Sequence, residues 1–292
     1  MSTSTIHDIG YSHYDGRRSG RAYVLRSLYV HNLRAAFGLG RPARAKIMPF
    51  LLAAIMLLPA AGSVAAFAFS KEPDALFRYS SYANIMQVIV AIFLATQAPV
   101  LASREVRFHV IPLYFSRPVG HLDFVLAKGA ALTTALFALM AVPVTVLYVG
   151  GLITKMPDSG EQLLKFLGAL VGCVLYALVL AAIGMVVAAF TPRRGFGVAA
   201  VIAVYMISAA FVGAVQGIAE AQTNFALQGW IGLGTPFNLV DIVQVRLLGA
   251  QSSSPGIAPG IAGGAVALAV CAVIVVGSIA VLYRRFRKAG LS

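Results

Sequence analysis

The apolar residues of this chain fall into six continuous blocks, and each block has at least 20 residues without Asp, Glu, Lys or Arg. A helix needs about 20 apolar residues to cross a hydrocarbon core about 30 Å thick. A membrane β-barrel would instead show shorter segments with alternating polarity. The pattern therefore predicts an all-α membrane protein with six transmembrane helices, at residues 47–69, 83–102, 129–153, 166–190, 197–218 and 260–283.

Composition supports lipid as the solvent for these blocks. Of the 292 residues, 59% are hydrophobic and only 11% are charged, whereas soluble domains carry about 25% charged residues. One connection is unusually long: residues 219–259 separate the last two blocks and contain a predicted short amphipathic helix at 236–243. This segment either caps an outer opening, dips into the bilayer or serves as a passive cover.

The positive charges predict the orientation of the chain. Eighteen of the 23 Lys and Arg residues lie in the segments on one side of the six blocks, and five lie on the other. Because Lys and Arg accumulate on the cytoplasmic side, both termini are expected in the cytoplasm. The net charge of +13 then reflects topology and attraction to anionic membrane lipid, and no nucleic-acid partner is needed. The chain divides into a cytoplasmic segment 1–46, a membrane domain 47–283 and a basic cytoplasmic tail 284–292.

Residues 20–37 have the spacing of an amphipathic helix just before the first block. Its apolar and polar faces follow a helical period of about 100° per residue. Such a helix lies in the membrane interface, either as a plain anchor or as a lever that also contacts a cytoplasmic partner. The apolar face holds Leu25, Leu28, Tyr29, Leu33 and Ala36, and the opposite face holds Arg26, Ser27, His31 and Arg34.

The second connection, residues 103–128, carries the most informative pattern. Charged residues follow the second block, an apolar stretch 110–115 comes next, and a Ser-Arg-Pro sequence ends it. A short helix here offers an apolar face to a socket on a soluble partner, with charges to fix its register. For single residues the alternatives are topology markers for the arginines, a local ion pair for the glutamate and a helix stop for the proline. The candidate coupling residues are Arg104, Glu105, Arg107, Arg117 and Pro118.

The blocks contain no ionisable side chain apart from Tyr and Cys. Because transporters driven by ion gradients generally bury Asp, Glu or His near mid-bilayer, this mode of energy coupling is not expected. Polar amides either line a pathway or form interhelical hydrogen bonds, and the GxxxG spacing of Gly168 and Gly172 indicates close helix packing. The candidate pathway-lining residues are Gln87, Gln97 and Gln216.

Catalytic and metal-binding motifs are missing from the sequence. It has no HExxH, no nucleophile elbow, no P-loop and no CxxC. We therefore expect neither an enzyme nor a cofactor or metal site on this chain. Cys173 and Cys271 are expected to be packing residues inside helices.

With these features together, the chain resembles the membrane subunits of type-2 ABC exporters. The resemblance rests on the basic amphipathic helix, on the long outer segment, and on the pattern Glu105, Leu113, Ser116-Arg117-Pro118-Val119 and Lys128. A further segment, Tyr11-Ser-His-Tyr-Asp-Gly-Arg17, resembles a motif of actinobacterial members.

The resemblance implies a permease subunit in the bacterial plasma membrane, paired with a second permease subunit. A separate ATP-binding subunit would carry ATP and Mg, and the second connection would dock on it. The alternatives are a passive channel or facilitator, and a membrane scaffold subunit that transports nothing.

Overall fold

The computed structural model describes residues 20–70, 76–108, 110–115, 119–154, 156, 159–191, 193–251 and 260–290. Every secondary-structure element in these ranges is helical, which confirms the all-α prediction. The predicted tail before residue 20, with its Tyr11 to Arg17 motif, lies outside the described residues.

Five helices are long and apolar enough to cross a membrane, so the chain has the character of a multi-pass membrane protein. They contain five of the six predicted spans and extend past them into charged flanks, because the backbone keeps its helical hydrogen bonds beyond the apolar residues. These helices are α2 (Arg44–Ser70), α7 (His121–Ile153), α8 (Ser159–Phe190), α9 (Arg194–Ala221) and α12 (Gly260–Gly290).

The predicted span 83–102 differs from the other five. It divides at Met86 into a single turn, α3 (Tyr82–Ile85), and a 16-residue apolar helix, α4 (Gln87–Ala102). The Tyr82 hydroxyl donates to the Met56 carbonyl of α2, and this bond holds α3 against its neighbour. At 1.5 Å per residue α4 is about 24 Å long, which is shorter than a hydrocarbon core of about 30 Å.

Helix α1 (Arg21–Ala36) confirms the predicted helix before the first span. Leu28 and Ala36 are buried, while Arg26 and Arg34 are exposed, as the amphipathic pattern predicts. The buried face packs mainly on α7. The chain then turns into α2 through Gly38, whose φ is +68° and where a Cβ would lie 2.4 Å from the Ala45 carbonyl oxygen. Only glycine fits this turn.

Helices α7 and α8 form the centre of the bundle. α7 contacts α1, α2, α4, α8 and α12, while α2, α9 and α12 expose most of their apolar surface. The basic residues after position 283 were predicted to form a tail, but they continue α12 to Gly290. Phe286 is fully buried there against Phe124, with ring centroids 5.3 Å apart.

The long segment 219–259 contributes two further helices, α10 (Phe225–Ile231) and α11 (Pro236–Leu247), joined by a 3-10 turn. α11 confirms the predicted short helix. It packs between α8 and α12, and the Tyr176 hydroxyl of α8 donates to the Phe237 carbonyl at 3.2 Å. This helix is therefore part of the bundle.

Candidate functional site: the connection from α4 to α7

The candidate coupling segment leaves α4 and reaches α7 through two short helices, α5 (Arg104–Arg107) and α6 (Ile111–Phe115). The Ser103 hydroxyl donates to the Pro99 carbonyl at 2.8 Å and closes the end of α4. α7 begins after Gly120 with Asp123 in its first turn, where a carboxylate interacts favourably with the helix dipole.

A buried ion pair fastens α5 to α7. The Lys128 ammonium donates at 2.5 Å both to the Glu105 carboxylate and to the Leu101 carbonyl at the end of α4. It also lies 4.6 Å from the centroid of the Phe124 ring. Lys128 is fully buried. A buried ammonium is tolerated only when it is paired and hydrogen-bonded, and the last carbonyls of a helix lack backbone partners. The contacts of Lys128 therefore pair its own charge with Glu105 and give the Leu101 carbonyl a hydrogen-bond donor.

A second ion pair fastens α1 to the same end of α7. Two nitrogens of the Arg21 guanidinium donate to the two Asp123 oxygens, each at 2.6 Å. Asp123 is buried, while 71% of the Arg21 side chain is exposed. The hydrogen bond to Asp123, and then its charge, raise the pKa of Arg21 above its ordinary value. Since arginine is protonated throughout the physiological range, the positive charge of this clamp between α1 and α7 is always present.

Aromatic side chains hold α6 onto α7. The Phe115 and His121 rings stack with centroids 4.0 Å apart. Tyr114 and Phe115 lie 5.3 Å and 5.7 Å from Phe124, which itself contacts α12 through Phe286. Such ring pairs stabilise by about 0.5–1.5 kcal/mol beyond their burial. α6 is therefore fixed to two of the long helices.

The outer side of this connection is apolar and basic. Phe108 and Leu113 expose 61% and 68% of their surface, and Arg104 and Arg107 are also exposed. We call these four residues the coupling face. Exposed apolar residues bordered by charge are typical of a binding surface.

The structure brings together three of the five candidate coupling residues. Arg104 and Arg107 point outward on α5, whereas Glu105 turns inward to Lys128. Glu105 thus forms an ion pair, as its alternative role expected, but its partner is Lys128 on α7, 23 residues away, and not one of its neighbours in α5. Arg117 and Pro118 lie outside the described residues.

The three candidate pathway glutamines do not form one row. Gln87 is exposed at the start of α4, and Gln97 lies ten residues further along the same helix, buried and donating to Thr96 at 3.2 Å. Gln216 donates to the Gln228 carbonyl at 3.2 Å and joins α9 to α10. Interhelical hydrogen bonding thus accounts for Gln216, whereas Gln97 borders a cavity together with Arg41.

Sequence reasoning missed the pair of Arg21 and Asp123, the identity of the ion-pair partner of Glu105, and one buried carboxylate. The signal for the pairs was present, because Asp123 and Glu105 are the only acids in residues 103–128 and Lys128 directly precedes a span. Asp241 lies outside the predicted spans, yet α11 buries it in the bundle. Counting ionisable residues within spans alone overlooked it, because no sequence pattern predicted how α11 packs.

The described residues contain no group of three or more His, Cys, Asp or Glu side chains that would hold a metal ion. Compared with known proteins, the sequence matches no family model and no curated protein. A functional assignment therefore depends on the sequence patterns and on the geometry of the connection between α4 and α7.

Proposed function

We propose that this chain is the permease subunit of an ATP-binding-cassette exporter in the bacterial plasma membrane. Two such permease subunits, identical or similar, would line the pathway. A separate subunit would bind ATP and Mg and dock on the coupling face. The observation that carries this proposal is that face itself: the exposed residues Arg104, Arg107, Phe108 and Leu113 lie on or directly beside short helices that are fastened to the centre of the bundle.

The fastening suits the transmission of motion. Glu105 joins α5 to α7 through Lys128, Arg21 joins α1 to α7, and the rings around Phe124 join α6 to α12. A force on α6 therefore acts on α7 and α12 through the aromatic rings, and through α7 on α1 and α5. Because packed helices shift as rigid bodies, closure of a docked ATPase would move α7, and α7 contacts most of the bundle.

In this proposal α4 is the sixth span, and both termini are cytoplasmic. No charged residue lies between Arg78, before α3, and Arg104, at the start of α5. The charges that flank α4 are therefore at its two ends. A span shorter than the hydrocarbon core is accommodated by local thinning of the bilayer. The uneven distribution of Lys and Arg supports the orientation.

Co-purification tests the partner. The tagged chain is expressed together with an ATP-binding subunit encoded by an adjacent reading frame, and the complex is isolated in detergent. We expect both subunits in one complex with ATPase activity. A chain that purifies alone and does not respond to ATP would favour the passive channel or the scaffold subunit.

The coupling face is tested by Leu113→Asp. A carboxylate in an apolar contact is desolvated without a partner, so we expect the ATP-binding subunit to be lost from the complex. Leu248→Asp, directly after α11, is the matched control because Leu248 is also exposed but borders a cavity with Arg78 and Gln251, away from α6. Equal retention of the partner by both variants would contradict docking at Leu113.

A further inference from the structure

Two adjoining cavities form one groove where α1, α2 and α4 meet. The larger, about 810 Å³, lies between the turn after α1, the start of α2 and the second half of α4. The smaller, about 180 Å³, continues to α5 and shares Arg41 and Val100 with the first. We call this feature the arginine groove, because its lining includes Arg41, Arg44, Arg104 and Arg107.

The described lining of the groove is rich in arginine. Among the described residues that line the two cavities there is no Asp or Glu. The nearest acid along the chain, Glu105, is turned toward Lys128 and neutralises that ammonium. Guanidinium groups match the oxygens of a phosphate with paired hydrogen bonds, so the groove suits a phosphate-bearing anion.

The polarity of the groove changes with depth. Gln97 lies five residues before the end of α4 at Ala102, which corresponds to about 8 Å along the axis of α4, and Arg104 follows in α5. Apart from Arg41 and Arg44, the lining of the larger cavity is apolar except for Thr96 and the buried amide of Gln97, and it includes Val100 and the exposed Met48. A charged rim above an apolar floor fits an amphiphile. A free phosphate would use the rim alone, and an acidic protein surface would leave the deep part empty.

We propose that the arginine groove binds an anionic glycerophospholipid from the leaflet at this end of the bundle. The phosphate lies among Arg41, Arg44, Arg104 and Arg107, and the start of an acyl chain lies against Met48 and Val100. Gln97 donates to an ester or glycerol oxygen. The groove shares Arg104, Arg107 and Phe108 with the coupling face, so the lipid headgroup would lie beside the docked ATP-binding subunit.

Native mass spectrometry of the detergent-purified full chain tests this proposal. The protein is titrated with phosphatidylglycerol, with phosphatidylcholine and with glycerol 3-phosphate. We expect phosphatidylglycerol to bind at least about tenfold more tightly than the zwitterionic lipid, since each basic residue near an anionic headgroup adds to affinity. Glycerol 3-phosphate lacks the acyl chains and is expected to bind at least about tenfold more weakly than phosphatidylglycerol.

Matched variants locate the site. Arg41→Gln with Arg104→Gln is expected to weaken phosphatidylglycerol binding at least about tenfold, because two charge-assisted contacts are lost. Arg26→Gln with Arg34→Gln removes the same charge from the exposed face of α1 and is expected to change binding less than about twofold. Arg41→Lys with Arg104→Lys keeps the charge and is expected to bind better than the Gln pair. Better binding by the Lys pair would show that the Gln pair loses affinity because its charges are gone and not because the protein misfolds.

Several outcomes would overturn the proposal. Equal affinity for the two lipids, or equal loss in the groove and control variants, would show unspecific attraction to basic residues. Tight binding of glycerol 3-phosphate would identify a site for a soluble phosphate. If the Gln pair binds lipid normally but no longer co-purifies with the ATP-binding subunit, the groove is a protein contact.

Discussion

At the residue scale, Lys128 is the most constrained side chain of the connection from α4 to α7. Its ammonium is fully buried and has three partners: the Glu105 carboxylate, the Leu101 carbonyl and the Phe124 ring. Removing one partner of a buried pair leaves an uncompensated charge, and this costs about 3–5 kcal/mol. Replacing both partners with uncharged groups costs far less.

We therefore expect Glu105→Gln to lower the thermal unfolding midpoint of the purified chain markedly. The double variant Glu105→Gln with Lys128→Met should recover much of the loss, because no buried charge remains. The measurement is thermal unfolding in detergent. Glu161→Gln is the control, since it breaks the exposed pair with Lys165, and such pairs contribute only about 0–1 kcal/mol.

A double variant less stable than Glu105→Gln would contradict the interpretation of Lys128 as a charge held in place by Glu105. The same geometry argues against charge reversal as a probe of docking. Glu105→Lys would bring two ammonium groups into one buried site. Loss of transport in that variant would then reflect a disturbed connection and not a lost contact with a partner.

At the element scale, the contact between α8 and α11 depends on one glycine. A Cβ on Gly172 would lie 1.3 Å from the Gln244 amide nitrogen, whereas a Cβ on Gly168 would meet nothing within 4 Å. The GxxxG spacing predicted close packing at both positions, and the structure shows it at Gly172. There the close partner is the side chain of Gln244 on α11.

We expect Gly172→Ala to lower the unfolding midpoint, because the Gln244 side chain is buried and would have to leave its present position. Overpacking of this kind costs about 1–3 kcal/mol. Gly168→Ala should be neutral or slightly stabilising, since alanine is the better helix former. Thermal unfolding of the two variants, compared under identical conditions, checks this. Equal effects at both positions would contradict the contact with Gln244.

The positions of the long helices could be predicted from the sequence because their apolar blocks are continuous, but several helices extend up to eight residues beyond the predicted spans. The observed helix boundaries differ from the predicted ones where tertiary contacts determine them. The Tyr82 hydrogen bond to Met56 holds α3 just before the break at Met86. Phe286 packs on Phe124 and extends α12 into the predicted tail. Neither contact has a local sequence signal, since the partners are at least 26 residues apart.

The candidate site was predictable in position but only partly in its geometry. The second connection was identified from its charges, its apolar stretch and its proline. The inward turn of Glu105 was left open, and the clamp between Arg21 and Asp123 was missed because its partners are 102 residues apart. Pairing between distant charges depends on how helices pack, and periodicity within one helix contains no information about it.

At the scale of the whole molecule, α4 decides the topology. If it crosses the bilayer, the chain has six spans and both termini lie on one side. If it does not, Arg78 and Arg107 lie on the same side and the termini lie on opposite sides. The uneven distribution of Lys and Arg favours the first arrangement. The short length of α4 requires the bilayer to thin around it.

Single cysteines at exposed positions separate these arrangements. The chain's own Cys173 and Cys271 are buried, so they give little background labelling. We expect a membrane-impermeant maleimide to label Arg78→Cys and Gln251→Cys in intact cells. Arg34→Cys and Arg107→Cys should react only after permeabilisation. All four positions are exposed in the structure, so a difference in labelling reports sidedness and not burial. Labelling of Arg107→Cys in intact cells would show that α4 does not cross the bilayer. It would also place the coupling face outside the cell, where no ATP-binding subunit reaches it.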